Sequence, residues 1–91
     1  MDITQYQFIK KIKTLPFVER VILFGSRAKK TNRKMSDFDI AVVCPHATIL
    51  EWNQILEIVE NADTLIPIDC IRFDQATKDL QEQIIKHGIS L

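Results

Sequence analysis

Two aspartates one residue apart, Asp37 and Asp39, open the apolar run "DFDIAVVC", and a Gly25-Ser26 pair closes an earlier run, "VERVILFGS". Residues i and i+2 of a strand project to the same face, so these two carboxylates would stand close enough to repel. Mg²⁺ suits the gap, being a hard cation that takes carboxylate oxygens and keeps positions open for phosphate. A glycine at a strand end lets backbone approach a ligand, and N–H groups at the start of a following helix point outward as an anion cradle, to which Ser26 adds a hydroxyl. Between turn and aspartates lie Arg27, Lys29, Lys30, Arg33 and Lys34, five cations in eight residues. They are placed to hold a triphosphate, with Arg27 nearest the turn as the expected direct phosphate contact. Taken singly, each feature also has a plain meaning: a solvated carboxylate pair, a tight turn, a solvated charge run.

The charge pattern agrees with a site of this kind. Formal net charge is zero, which argues against a general nucleic-acid binder. Yet nine of the twelve Lys and Arg residues precede Met35, and none lies from Met35 to Ile71, where seven acidic residues fall. Ninety-one residues, 46% hydrophobic and 26% charged, predict a single soluble domain over 1–91. No stretch has the length of a signal peptide's apolar core or of a membrane span, so a cytoplasmic protein without membrane contact is expected. Cys44 and Cys70 have neither CxxC spacing nor clustered histidines and read as buried thiols in strands.

The elements that must position these residues can be read from capping and periodicity. Thr4 with Gln7 forms a capping box and Ile3 with Phe8 a hydrophobic staple, predicting a helix over about 5–14 with Phe8, Ile9 and Ile12 inward. "VERVILFG" predicts a buried strand, Ser26 caps a short helix or turn after it, and "DFDIAVVC" predicts a second strand. A capping box of Thr48 and Glu51 opens a helix to about Asn61, with Leu50, Trp52, Ile55, Leu56 and Val59 as its apolar stripe. "LIPIDCIRF" is a third strand, which Pro67 pushes toward a sheet edge. Asp74 then caps a last helix, with Ala76, Leu80 and Ile84 repeating every four residues and Gly88 as its stop. The order αβ(α)βαβα calls for an α/β fold: a small mixed sheet packed by helices.

Together these residues resemble the signature of the minimal nucleotidyltransferase domains of the DNA polymerase β superfamily. There a Gly-Ser is followed after about ten residues by Asp-x-Asp. Here Gly25-Ser26 and Asp37-Phe38-Asp39 keep that spacing, with Ser26-Arg27-Ala28 as in the family's commonest form. The resemblance covers the whole chain and implies the polymerase-β-like nucleotidyltransferase fold. It also implies a third carboxylate on a later strand, supplied by Asp69, with Asp74 as a rival better suited to capping a helix. Asp37, Asp39 and Asp69 would then hold divalent metal, two Mg²⁺ ions, with Asp69 also serving the attacking hydroxyl as base or as its orienter. Gly25, Ser26, Arg27 and Lys30 would bind the phosphates of a nucleoside triphosphate, ATP. Lys30 stands where the family usually has a second glycine, so a side chain would replace a backbone contact there.

Minimal domains of this kind are often antitoxins paired with helical HEPN toxins, and the activity the resemblance implies is transfer of AMP to a toxin tyrosine. The chain offers no second domain to recognise an acceptor, so a protein that brings its own binding surface is expected, with Trp52 either a contact for it or a core residue. No direct nucleic-acid binding is expected. Two further readings stay open: a non-catalytic nucleotide-binding module that neutralises its partner by occlusion, and a small-molecule or RNA nucleotidyltransferase. So do a monomer, a homo-oligomer and a larger complex. His46, in a loop, and His87, in the last turn of a helix, are assigned no chemistry.

Overall fold

The computed structural model describes residues 3–28 and 37–91; of Ser26 only the backbone is described. After a 3₁₀ turn at Ile3–Gln5 come helix α1 (Gln7–Thr14), strand β1 (Arg20–Phe24), the single-turn helix α2 (Gly25–Ala28) and strand β2 (Phe38–Val43). Helix α3 (Ile49–Glu60), strand β3 (Ile68–Arg72), a 3₁₀ turn at Phe73–Gln75, helix α4 (Lys78–His87) and strand β4 (Ile89–Ser90) follow. The four strands form one mixed sheet in the order β3-β2-β1-β4. β2 is antiparallel to β1 and parallel to β3, and β4 is antiparallel to β1. The parallel pair is joined through α3, the long connection that a parallel crossover requires.

Alternation along the strands divides the core between the two faces of the sheet. Val21, Leu23, Phe38, Ile40 and Val42 pack with Phe8, Ile9 and Ile12 of α1 and with Ile55 of α3. Their neighbours Ile22 and Ala41 turn the other way and pack with Ile84 of α4, joined by Phe24, Val43, Ile71 and Phe73. By the same alternation Asp39, between Phe38 and Ile40, faces the α4 side, as does Asp69, between Ile68 and Cys70.

Several sequence expectations hold. Phe8, Ile9 and Ile12 are buried, and the Thr48–Glu51 capping box is formed in both directions. Trp52 is half-buried and packs on the larger core cluster. β3 is an edge strand, and Pro67 lies just before it, with its carbonyl accepting from the Phe38 N–H at 2.9 Å. Both cysteines are free thiols, but Cys44, which is buried, falls just past the end of β2, and Cys70, in β3, is only half-buried. Their burial raises both pKa values, that of Cys70 to about 12. Among the described residues, no helix is long and apolar enough to cross a membrane.

Others are corrected. α1 starts at Gln7, not at 5, and Thr4 does not cap it; the cap comes from Asp63, whose carboxylate accepts from the N–H groups of Gln7 at 2.9 Å and Phe8 at 3.1 Å. Asp74 does not cap α4: it sits in the 3₁₀ turn, ion-paired to Arg72, and Thr77 is the N-cap, accepting from the Leu80 N–H at 3.3 Å. Leu50 is 77% exposed and Leu56 39% exposed, so the buried stripe of α3 rests on Ile55, with Trp52, Ile58 and Val59 beside it. Gly88 does end α4, but in extended backbone. It is glycine for lack of space, since a Cβ there would collide with the Ile84 carbonyl and the Ile22 side chain. β4 has no counterpart in the sequence expectations.

Candidate functional site

The ends of three strands meet at one edge of the sheet. β1 arrives there at Phe24, while β2 and β3 start there, so the register sets Phe24 opposite Asp39 and Asp39 opposite Asp69. Parallel neighbours in register direct their side chains to one face about 5 Å apart. Asp37, two residues ahead of Asp39, is exposed at the same edge. Burial of Asp39 raises its pKa, and the negative charges of Asp69 and then Asp37 raise it further. The three aspartates singled out in the sequence therefore form one electrostatic unit, with Asp39 at its centre.

Gly25 completes the edge. Its φ of 74° lies in the left-handed region, where a side chain is strained, and a Cβ would overlap Asp39 Oδ2. The backbone turn from β1 into α2 is thus pressed against the central carboxylate. This is what a site needs if a phosphate chain is to touch backbone on one side and a carboxylate-bound cation on the other.

Arg27 lies over an aromatic ring. Its guanidinium carbon lies 4.4 Å from the centre of the Phe38 ring, and Phe38 packs edge-to-face with Tyr6 at 5.7 Å on the α1 side of the sheet. The ring holds the cation at the tip of β2. Phe38 is a part of the site that sequence reading passed over as the filler of Asp-x-Asp; an aromatic eleven residues after an arginine carries no signal until the fold joins them. Lys29, Lys30, Arg33 and Lys34 lie outside the described residues.

The donor set suits a hard divalent cation, since all three groups are carboxylates and Asp39 is held where a positive charge would relieve it. Among the described residues, however, no three His, Cys, Asp or Glu side chains stand together closely enough to hold a metal ion as they lie. His46 follows β2 at the opposite end of the strand.

The family profile described as Polymerase beta, Nucleotidyltransferase matches residues 7–91. A comparison with curated proteins found no match. Among solved structures, a toxin–antitoxin complex with AMP-PNP superposes with a TM-score of 0.67 at 24% identity, over 92% of this chain and 69% of that one. A substituted form of the toxin–antitoxin pair MntA–HpeT gives 0.66 at 26% identity, over 93% and 68%. The complex of a tri-AMPylated HEPN toxin with its MNT antitoxin from Shewanella oneidensis gives 0.61 at 22% identity, over 92% and 65%. The chain thus spans about two-thirds of the solved chains it resembles. With the strand order, the Gly25 turn and the facing aspartates on the page, the match over residues 7–91 makes this chain a member of the polymerase β nucleotidyltransferase family.

Proposed function

We propose that this chain transfers a nucleoside monophosphate, AMP from ATP, to a hydroxyl of a partner protein, a tyrosine of a HEPN-type toxin, and so acts as an antitoxin. The observation that carries the reading is the in-register pair Asp39 and Asp69 beside the Gly25 turn. It brings two carboxylates onto adjacent strands next to exposed turn backbone, and so supports reading one as base and one as metal ligand beside a phosphate-binding turn. The similarity to toxin–antitoxin complexes, one with AMP-PNP and one with an AMPylated toxin, supports the choice of substrate and partner.

In this reading Asp37, Asp39 and Asp69 would hold two Mg²⁺ ions. Bound there, the ions would neutralise the triphosphate and stabilise both the attacking and the leaving oxygen. The protein's own contribution is placement. The Gly25–Ser26 backbone receives the β- and γ-phosphates, Arg27 swings or leans from its Phe38 platform to their oxygens, and Asp69 takes or orients the acceptor proton. Lys30 adds a side-chain contact to phosphate.

Mass spectrometry tests the proposal. The protein is incubated with Mg²⁺, ATP and whatever helical protein its neighbouring gene encodes, in parallel with the Asp37→Asn/Asp39→Asn double variant. One or more AMP additions on the partner, absent with the variant, are expected. Protection of cells from the partner by both forms alike, with no mass gain, would replace transfer with occlusion.

A further inference from the structure

β3 is the edge strand beyond β2, and among the described residues no strand pairs with its outer side. Its free backbone groups follow from the register. The Phe38 N–H donates to the Pro67 carbonyl, and Phe38, Ile40 and Val42 stand opposite Ile68, Cys70 and Arg72. In a parallel ladder this turns the backbone of Asp69 and Ile71 toward β2 and that of Ile68, Cys70 and Arg72 outward. Beside these outward groups runs an open groove of about 310 Å³. Trp52 of α3 and Cys70 wall it on the α1 face of the sheet, and Ile71 and Leu80 of α4 wall it on the other.

We propose that this edge receives the acceptor segment of the partner protein as an added antiparallel strand, with the acceptor tyrosine opposite Asp69. The proposal rests on the nucleotidyl-transfer reading above and deepens it by naming how the acceptor is held. The strand that offers the open edge is the one that carries Asp69, so a segment paired there is brought to the candidate site. Asp69 is exposed and faces the same side of the sheet as Asp39. Because its own N–H and C=O point to β2, a residue across from it on the added strand forms a non-hydrogen-bonded pair, the kind in which side chains stand closest. In the transfer step the tyrosine oxygen bonds to the α-phosphorus of ATP. The bond from that phosphorus to the bridging oxygen breaks, its electron pair leaves with pyrophosphate, and the hydroxyl proton passes to Asp69 or to a water that Asp69 orients.

The groove and the charges define the segment further. Its residues on either side of the tyrosine turn to the opposite face, toward Trp52 and Cys70, while the residue two places along meets Ile71 and Leu80. Backbone bonds along the edge then supply affinity, and the alternating apolar contacts supply specificity. α3, which packs on β3, carries Glu51, Glu57 and Glu60 and no Lys or Arg, and Asp37 is exposed near the start of β3 with Asp69. Lys or Arg beside the tyrosine would complement this surface. A second copy of the chain paired at the same edge would bring its own acidic α3 alongside, like charge against like.

Amide hydrogen exchange tests the docking on the Asp37→Asn/Asp39→Asn form, with and without the helical protein that the neighbouring gene encodes. The N–H groups of Ile68, Cys70 and Arg72 should exchange about tenfold more slowly with that protein present, while those of Asp69 and Ile71, already bonded to β2, should change little. Two variants with Asp37 and Asp39 intact then read AMP transfer by mass spectrometry. Cys70→Pro removes one outward N–H and no bond to β2, and Leu80→Lys sets a cation on the groove wall at a side chain already 37% exposed. Each should raise the KM for the partner about tenfold, with kcat and Mg²⁺-dependent ATP binding close to the parent's. If Cys70→Pro does not fold, Leu80→Lys and the exchange pattern decide. Transfer without slowing at the outward amides would overturn the edge assignment while the transfer reading stands. Slowing that follows the concentration of this chain alone would give the edge to a second copy and overturn the proposal. Absence of transfer, with or without slowing, would overturn both.

Discussion

Asp39 and Asp69 stand opposite each other on parallel strands, and the central one of this facing pair holds its proton above the ordinary carboxylate range. The cause is burial first and then the charges of Asp69 and Asp37. The folded chain therefore binds a proton at Asp39 more tightly than the unfolded chain does. Stability then falls as pH rises from the ordinary value of 3.8 through the raised folded value, and at neutral pH the ionised carboxylate costs stability. Asp39→Asn should raise the thermal midpoint of the metal-free protein at pH 7 by about a degree or two, allowing for solvent screening. Near pH 3, where Asp39 is protonated in both states, parent and variant should converge. Added Mg²⁺ should raise the midpoint of the parent and leave the variant's unchanged. A variant that melts earlier than the parent and still responds to Mg²⁺ would remove Asp39 from the centre of the site.

Gly25 is constrained twice, by its φ of 74° and by Asp39 Oδ2 in the space a Cβ would take. Gly25→Ala should cost about 1–2 kcal/mol for the backbone alone. It should also displace the Asp39 carboxylate, so Mg²⁺-dependent nucleotide binding should fall further than the stability loss explains. Denaturant unfolding and nucleotide titration on the same sample separate the two. If binding is normal in the folded variant, the close approach has no part in the site.

The sequence carried the site better than it carried the framework around it. Gly25, Asp37, Asp39 and Asp69 could be picked out because their spacing is local or falls at strand ends, where alternation predicts the facing side. What escaped depends on contacts between distant segments. The cap on α1 comes from Asp63, fifty-five residues from Phe8, so a local Thr4–Gln7 pattern misled. Asp74 looked like a cap because it precedes a helical pattern, but Arg72, two residues earlier, offers it a charge, and Thr77 is closer to the first full turn. Leu50 fits a helical stripe on paper, yet it sits in the first turn of α3 and is exposed there. β4 is too short to show any period.

The Asp63 cap should be visible in acid. Hydrogen bonds from the Gln7 and Phe8 N–H groups favour the ionised carboxylate and lower its pKa. A depressed folded value means the contribution is complete above the ordinary 3.8 and is lost as pH falls through the folded value. Asp63→Ala should lower the thermal midpoint by a few degrees at pH 7, with the difference from the parent shrinking toward pH 2. Asp63→Asn, which keeps one acceptor oxygen, should fall between them. Amide exchange at Gln7 and Phe8 should quicken in the alanine variant; unchanged exchange would show that α1 begins without this cap.

Arg72 joins the end of the sheet to the turn before α3, and one guanidinium does it through three contacts. Nη2 donates to the carbonyls of Cys44 at 3.1 Å and Ala47 at 2.9 Å, while Nε donates to Asp74 at 3.1 Å. The side chain is only 10% exposed; its loss would remove the Arg72 donor from the partly buried Ala47 carbonyl and leave the Cys44 carbonyl with the Ala47 N–H alone. Arg72→Ala should therefore cost roughly 1–3 kcal/mol. Arg72→Lys should recover little of this, because a single ammonium cannot span two carbonyls and a carboxylate in the fixed geometry of a guanidinium. Asp74→Ala removes just the most exposed of the three contacts and should cost well under half as much. Chemical denaturation of the three variants ranks them. A lysine variant as stable as the parent would mean that charge at this position, and not the fork of donors, holds the turn.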